Sequence, residues 1–145
     1  MYHHVLIPTD GSDLSAKAVE QGLQLAKALG ARVTLLSIVE PQPLVSVENV
    51  QLAGMGTDFL EIAHNEAKAV LGEAESRAEE LGVAVESIVA DGTDAAGSIV
   101  QAADEAGCDL IAMGSRGRSG LTALVLGSVT MRVLNESTVP VIVYR

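Results

Sequence analysis

The residues best suited to chemistry in this chain form a glycine-rich run near its C-terminus. The run reads Gly-Ser-Arg-Gly-Arg-Ser-Gly over residues 114–120, and a Gly-Ser pair follows at 127–128. It lies where a predicted strand ends and a predicted helix begins. Backbone N–H groups converge at such a place, and a helix start adds partial positive charge. Glycines, hydroxyls and arginines placed there indicate a polyphosphate site rather than part of a packed core.

The elements that must position this run alternate between strand and helix along the whole chain. Apolar, β-branched stretches predict five strands, at residues 3–9, 32–39, 83–90, 109–113 and 140–144. Helical periodicity with capping residues predicts four helices, at residues 14–29, 58–81, 95–106 and 121–136. Two prolines and two glycines predict a loop over residues 40–57. The alternation favours a parallel sheet covered by helices on both faces.

A second polar, glycine-bearing loop follows the first predicted strand, at residues 8–12 (Pro-Thr-Asp-Gly-Ser). Ligands of open α/β sheets bind outside the carboxyl ends of the strands, where the winding reverses direction. If the first and fourth strands are neighbours, the strand order is 3-2-1-4-5, and this loop meets the glycine run at that point.

Length, composition and charge narrow the class of protein. The 145 residues suit one domain, and 48% of them are hydrophobic, which excludes a mostly disordered chain. We find no apolar run long enough to span a bilayer and no signal-peptide pattern, so we expect a cytoplasmic protein without membrane insertion. The net charge is −10, and residues 1–113 carry 18 acidic and 5 basic groups. Such an acidic body argues against nucleic-acid binding.

The remaining chemically able residues give no convincing site. His3, His4 and His64 are scattered, and we expect surface or edge positions rather than metal ligation. Cys108 is the single cysteine, so an internal disulfide is impossible, and we expect it to pack in the core. Ser115 lacks a histidine partner that would make it a nucleophile.

The glycine spacing is Gly-x2-Gly-x9-Gly-Ser from Gly114 through Gly117 to Gly127, which is neither a Walker A loop nor a dinucleotide fingerprint. In this spacing the chain resembles the nucleotide-binding branch of the universal stress protein family. Residues 8–12 resemble the first-strand signature of that family, and residues 139–143 resemble its closing strand. The resemblance covers the whole chain, 1–145. It implies a single three-layer α/β/α domain with a five-stranded parallel sheet, of the adenine nucleotide α-hydrolase-like type.

The resemblance also implies an ATP site. Six residues at strand ends would hold the nucleoside: Pro8, Thr9, Asp10, Ile38, Met113 and Gly114. Among these, the Asp10 carboxylate would accept hydrogen bonds from the ribose hydroxyls, and the Ile38 backbone would read the adenine edge. Six more would hold the phosphates: Arg116, Gly117, Gly127, Ser128, Val129 and Thr130. Mg²⁺ would enter bound to the ATP phosphates and would have no side-chain ligands. The resemblance implies no catalytic residue.

Structural roles stay open beside these functional ones. Asp10 also suits capping of the first helix, Gly127 also suits close packing of a helix on the sheet, and Arg118 suits an ordinary surface position. The chain departs from the family at Ser37, where many members have histidine, which implies a modest change in nucleotide affinity.

These observations favour an ATP-binding regulator of the stress response, with at most slow ATPase activity. The resemblance implies a homodimer through the last strand, with a dimer of dimers as the larger alternative, and an unidentified protein partner such as a membrane transporter. One alternative is a protein-interaction module that senses no nucleotide. Another is a phosphoacceptor receiver domain using Asp10, Asp13 and Asp91, although no lysine follows the last strand.

Overall fold

A computed structural model describes the backbone of residues 1–41, 53–115 and 126–145, with the side chains of residues 59–115 included in the middle range. Its strands are β1 (His4–Pro8), β2 (Arg32–Val39), β3 (Val85–Asp91), β4 (Leu110–Gly114) and β5 (Val141–Tyr144). Its helices are α1 (Asp13–Leu29), α2 (Ala53–Leu81), α3 (Ala95–Ala106) and α4 (Ser128–Glu136). The strands pair in parallel in the order β3-β2-β1-β4-β5, as predicted.

Side chains alternate between the two faces of the sheet, and each face is covered by helices. Val5 and Ile7 of β1 pack with Leu23 of α1 in one buried cluster, which also takes in α2. Leu6 packs in the opposite cluster with residues of α3 and α4, including Ile99. Because both faces of β1 are covered, Val5, Leu6 and Ile7 are all fully buried, which explains the unbroken apolar stretch in the sequence. The predicted three-layer fold class is confirmed.

The helix α1 lies unusually close to the sheet. A Cβ atom on Gly22 would come within 2.7 Å of Ile7 Cδ1 and 3.5 Å of Ala112 Cβ. The glycine therefore lets α1 approach β1 and β4, and this close packing fixes where the first turn of α1 lies at the edge of the sheet.

Two helices begin five or more residues away from their predicted starts, whereas α1 begins one residue earlier than predicted. Helix α2 starts at Ala53, so residues 53–57 are helical rather than part of a loop. Beyond Pro43 no proline prevents a helix, and each residue added to a long helix gains one hydrogen bond. Helix α4 starts at Ser128 with Gly127 as its N-cap, so residues 126–127 are not helical. The other residues of the predicted loop and helix, 42–52 and 121–125, lie outside the described residues. None of the helices in the described ranges is long and apolar enough to cross a membrane.

The prediction for His4 was wrong, because this residue is buried and not at the surface. Its Nε2 lies 2.6 Å from Thr34 Oγ1, and the Thr34 hydroxyl donates to Glu86 Oε1 at 2.9 Å. Because side chains alternate between the two faces of a strand, His4 lies on the same face of β1 as Leu6, which helices cover. Cys108 lies in the same buried cluster as Leu6, as predicted.

Candidate functional site

A cavity of about 400 Å³ opens at the carboxyl ends of β1, β2 and β4. After β1 the chain continues to β2 on one side of the sheet, and after β4 it continues to β5 on the other side. The winding therefore reverses between β1 and β4. The volume falls within the range of about 300–1,000 Å³ that small-molecule sites commonly have. The cavity therefore lies at the place predicted from the two glycine-bearing loops.

The structure brings together every predicted ligand residue that it describes. Ten of them line the cavity: Pro8, Thr9, Asp10, Ile38, Met113, Gly114, Gly127, Ser128, Val129 and Thr130. The other two, Arg116 and Gly117, lie outside the described residues, as does Arg118. The roles of these twelve residues in nucleotide binding stay predictions, whereas the position of the ten around one cavity is observed.

Asp10 projects from the loop after β1 and is held by the first turn of α1. Its Oδ1 accepts a hydrogen bond from the Ser15 hydroxyl at 2.6 Å and one from the Ser12 N–H at 3.0 Å. Gly11 makes this turn possible, because its φ of 81° lies in the left-handed region and a Cβ atom there would approach Val70 Cγ2 to 2.8 Å. Asp10 thus supports the start of α1 and lines the cavity at once.

The N-terminus of α4 differs from those of α1 and α3. Ser12 and Asp94 cap their helices through side-chain oxygens, whereas within the described residues Gly127 gives α4 no side-chain cap. The backbone of Gly127, with φ −60° and ψ 153°, is open to any residue. Backbone conformation therefore does not require a glycine here, and both close packing of α4 on the sheet and close approach of a ligand to the helix start stay open as its role.

Buried hydroxyl groups connect β4 to this helix start. The Gly127 N–H donates to Ser115 Oγ at 3.3 Å, and the Ser115 N–H donates to the Tyr144 carbonyl at 2.9 Å. Thr130 is 2% exposed, and its hydroxyl lies 3.5 Å from the Gly114 carbonyl, at the outer limit of a hydrogen bond. Ser128 and Val129 are exposed and line the cavity, so the first turn of α4 is accessible from the cavity.

The part of the cavity beside β2 is apolar. Leu36 and Ile38 of β2, Ile99 of α3 and Met113 of β4 contribute to its lining. An apolar lining of this kind suits an uncharged ring, because aliphatic side chains can contact its faces.

The charged side chains of the described lining are acidic, whereas the helix starts contribute partial positive charge from their N–H groups. Asp10 and Glu40 line the cavity, and no basic side chain of the described residues does. Behind the cavity, hydrogen bonds from Arg132 and from the Gly97 N–H lower the pKa of Asp94. The same Arg132–Asp94 contact, at 2.7 Å, ties α4 to the start of α3. A bound polyanion would therefore be stabilised by helix N–H groups and by a cation that it brings with it.

Sequence reasoning missed several lining residues: Ser12, Leu14, Ser15, Leu36, Glu40, Ala95 and Ile99. The first three belong to the turn after Asp10, so the helix start marked in the sequence could have indicated them. Ala95 and Ile99 reach the cavity only because α3 packs across β2 and β1, which no local pattern reports. Ser37 is buried and is not among the described residues that line the cavity.

No other chemically organised cluster stands out in the described part of the chain. His64 bonds to Asp91 at 2.6 Å and to the Leu60 carbonyl at 2.7 Å, joining α2 to the end of β3. No group of three or more possible metal-ligating side chains is found within the described ranges.

Comparison with known proteins places this architecture in a family. The model of the universal stress protein family matches residues 1–145. Universal stress protein YxiE of Bacillus subtilis is 36% identical, over all of both chains.

Solved structures share the fold. UspA of Lactobacillus plantarum superposes with a TM-score of 0.84 at 22% identity, covering 99% of this chain and 98% of the other. A universal stress protein solved in complex with cAMP superposes at 0.71 with 28% identity, covering 99% and 97%. These matches exclude the receiver-domain alternative. The chain, with its five-stranded sheet and its cavity at the switch point, belongs to the universal stress protein family.

Proposed function

We propose that this protein binds ATP with Mg²⁺ in the cavity between β1 and β4 and acts as a nucleotide-dependent regulator in the stress response. The observation that carries the proposal is the gathering of ten predicted ligand residues, from β1, β2, β4 and α4, around one cavity. The ten residues come from four segments that are apart in the sequence. Their meeting supports a common ligand better than it supports separate structural roles.

The two ends of the cavity suit the two ends of a nucleotide. The apolar slot formed by Leu36, Ile38 and Met113 takes the base, and Asp10 accepts hydrogen bonds from the ribose. The start of α4, where Ser128 and Val129 are exposed, takes the phosphates, because helix N–H groups favour an anion there. The relative bound to cAMP, at 28% identity, supports an adenine nucleotide as the ligand.

We expect regulation rather than rapid catalysis. Hydrolysis of ATP needs a positioned water and a base or electrophile near the terminal phosphate. The carboxylates in the described lining are Asp10, which the proposal places at the ribose, and Glu40, which follows β2. In the sheet, β1 separates β2 from β4, the strand that precedes the start of α4. Hydrolysis should therefore be slow, and the bound nucleotide would be read by an unidentified protein partner.

Titration calorimetry of the purified protein with Mg-ATP tests the binding directly, and we expect a micromolar Kd. Gly127→Val keeps an allowed backbone but places a branched side chain at the phosphate position, so affinity should fall by about tenfold or more. Gly114→Val is unsuitable, because a Cβ atom there already lies 3.3 Å from Ala18 Cβ. Gly72→Val is the matched control, since a Cβ atom on Gly72 meets nothing within 4 Å. Absence of binding at millimolar ATP would contradict the proposal and favour a protein-interaction module.

We also propose that the protein forms a homodimer through β5. This strand is an edge of the sheet, paired with β4 on one side. The Pro140 and Tyr144 carbonyls accept from β4, so Val141 and Val143 direct their backbone groups to the open side. Helix α4, which packs beside β5, exposes Met131 and Leu134. An apolar edge of this kind is commonly covered by a second chain.

Light scattering coupled to size-exclusion chromatography tests the dimer. Val143→Pro removes an N–H on the open side of β5 without removing one that bonds to β4, so it should shift the protein toward monomer. Val143→Ala keeps that N–H and is the control. A wild-type monomer at high micromolar concentration would contradict the dimer without affecting the nucleotide proposal.

A further inference from the structure

We infer that Ser15, in the first turn of α1, is the positioning residue that aims the Asp10 carboxylate at the ribose. The inference rests on the proposed nucleotide binding and adds a specificity determinant to it. Ser15 is not part of the glycine motif.

The side chain of Ser15 makes two hydrogen bonds to Asp10. Its hydroxyl donates to Asp10 Oδ1 at 2.6 Å, and its oxygen accepts from the Asp10 N–H at 3.3 Å. One hydroxyl therefore holds both the carboxylate and the backbone of the same residue. Because the O–H donates to an ionised acceptor, the shorter bond is of the stronger, charge-assisted kind.

The arrangement differs from ordinary helix capping. Ser12 already caps α1, since its hydroxyl accepts from the Ser15 N–H at 3.2 Å. In a capping box, the third helical residue returns its side chain to the backbone of the cap residue. Here the third residue, Ser15, reaches two positions further back, to Asp10. Its side chain thus serves the loop at the cavity.

The helix that carries Ser15 is rigidly placed. The close approach at Gly22 presses α1 against Ile7 and Ala112, and Ala18 of α1 is fully buried. The Ser12 N–H also donates to Asp10 Oδ1, at 3.0 Å, from the same turn. The Asp10 carboxylate, although it lies on an exposed loop, is therefore held by a helix that packs on the core. This reduces the conformational entropy that the carboxylate would lose on binding a ribose.

The expected consequence is discrimination by the sugar. Asp10 would accept from ribose hydroxyls, so a nucleotide that lacks one of them loses a hydrogen bond to a charged group. If Ser15 fixes the carboxylate, then removing its hydroxyl should weaken the binding of ATP much more than that of a deoxynucleotide.

The test is calorimetry of the full chain with Mg-ATP, Mg-2′-deoxyATP and Mg-3′-deoxyATP. We expect the wild-type protein to favour ATP over at least one deoxy analogue by about tenfold. Ser15→Ala should bring that ratio to within about twofold of one, mainly by weakening ATP binding. Ser15→Thr keeps the hydroxyl and should retain the preference. Ser76→Ala, an exposed serine on α2, is the matched control.

The outcomes separate the two proposals. If wild-type protein fails to bind any of the three nucleotides, the proposed function is wrong and this inference with it. If it binds ATP but does not distinguish the deoxy analogues, or if Ser15→Ala weakens all three equally, ATP binding stands and the role of Ser15 is overturned. Thermal unfolding of both Ser15 variants shows whether a change in affinity reflects loss of fold.

Discussion

The two ends of the same parallel sheet use their polar groups in opposite ways. At the amino end of the strands, three helices end on glycines with left-handed φ angles, 67° at Gly30, 74° at Gly82 and 73° at Gly107, which close the chain into tight turns. At the carboxyl end, helices begin, and their N–H groups and the Asp10 loop face a cavity. Helix starts present donors outward, whereas these helix ends bond back on themselves.

The amino end also contains two buried titratable side chains, His4 and Cys108. Thr34 gives its single hydroxyl proton to Glu86, so His4 must carry its proton on Nε2. Of the buried side-chain polar atoms in the described residues, His4 Nδ1 is the one without a hydrogen-bond partner. Burial raises the pKa of the nearby Cys108 thiol to about 11, so it stays protonated and unreactive. Changes at the amino end should therefore affect mainly stability, and changes at the carboxyl end mainly binding.

The largest expected effect is at the amino end. Thr34→Val keeps the shape of a fully buried side chain but leaves the His4 Nε2–H without its acceptor. We expect the free energy of unfolding to fall by about 2 kcal/mol, with nucleotide affinity unchanged. Urea denaturation and calorimetry with Mg-ATP measure the two quantities. A loss of affinity at unchanged stability would break the contrast between the two ends.

The reciprocal change at the carboxyl end is Asp10→Ala. Loss of the ribose acceptor should lower ATP affinity by about tenfold, or about 1.4 kcal/mol, because a hydrogen bond to a charged group is lost. Stability should change by less than about 1 kcal/mol, since Asp10 is exposed. The same two measurements apply, with Asp13→Ala, an exposed neighbour, as the control. Unfolding without any change in affinity would show that Asp10 is purely structural.

The buried His4 should make the stability of the protein depend on pH. Burial, and secondarily Arg32, lower the pKa of His4 below its ordinary value of 6.5. The unfolded chain therefore takes up this proton first, so stability should be full above pH 6.5 and fall as the pH drops below it. One proton contributes a slope of at most about 1.4 kcal/mol per pH unit.

Urea midpoints between pH 7.5 and 5 measure this slope. His4→Leu removes the titrating ring and keeps the Thr34–Glu86 hydrogen bond, so its profile should be flatter than that of the wild-type protein. Identical profiles would refute the assignment to His4.

A smaller effect is expected at the turns that end the helices. Gly30→Ala forces a Cβ atom into a left-handed backbone and should cost about 1 kcal/mol, although nothing lies within 4 Å of that Cβ. Gly72→Ala is the control with the opposite sign, because this glycine lies inside α2 in equally open space and alanine favours a helix by about 0.8 kcal/mol. Thermal unfolding should move in opposite directions for the two variants. Equal shifts would contradict the conformational argument.

The smallest effect lies on the surface between the two ends, where Arg77 of α2 donates twice to Glu20 of α1, each time at 2.8 Å. These hydrogen bonds lower the pKa of Glu20 to about 2. The stabilisation is therefore present above pH 4.5 and lost as the pH falls toward 2. Because both side chains are 40% exposed, Glu20→Gln should cost only about 0.5 kcal/mol at pH 7, less in high salt. Urea denaturation beside Glu73→Gln, an exposed glutamate of α2, provides the measurement, and a salt-independent cost would count against an ion pair.

Much of this molecule was predictable because its signals are local. Apolar runs marked β2 at Arg32–Val39 without error, and the helix predicted over residues 14–29 differs from the observed α1, Asp13–Leu29, by one residue at its start. Helix starts were harder to predict where capping signals are weak. The N-cap of α4 is Gly127, which has no side chain to cap a helix, and the first turn of α2 contains two glycines. The burial of His4 was missed because the sequence around a single strand residue does not show which residue of the neighbouring strand its side chain contacts.

The strand–helix alternation, the two glycine-bearing loops and the spacing of the glycine motif could be read from the sequence, because they depend on periodicity and on residue types near one another in the chain. The strand order followed only on the condition that β1 and β4 are neighbours, which the structure confirms. Only the tertiary structure decided that Ile99 of α3 completes the apolar slot, that Ser15 holds Asp10, and that His4 is buried against Thr34. Such contacts depend on how helices cross a twisted sheet and on which rotamers the packing allows. That information is absent from any local pattern.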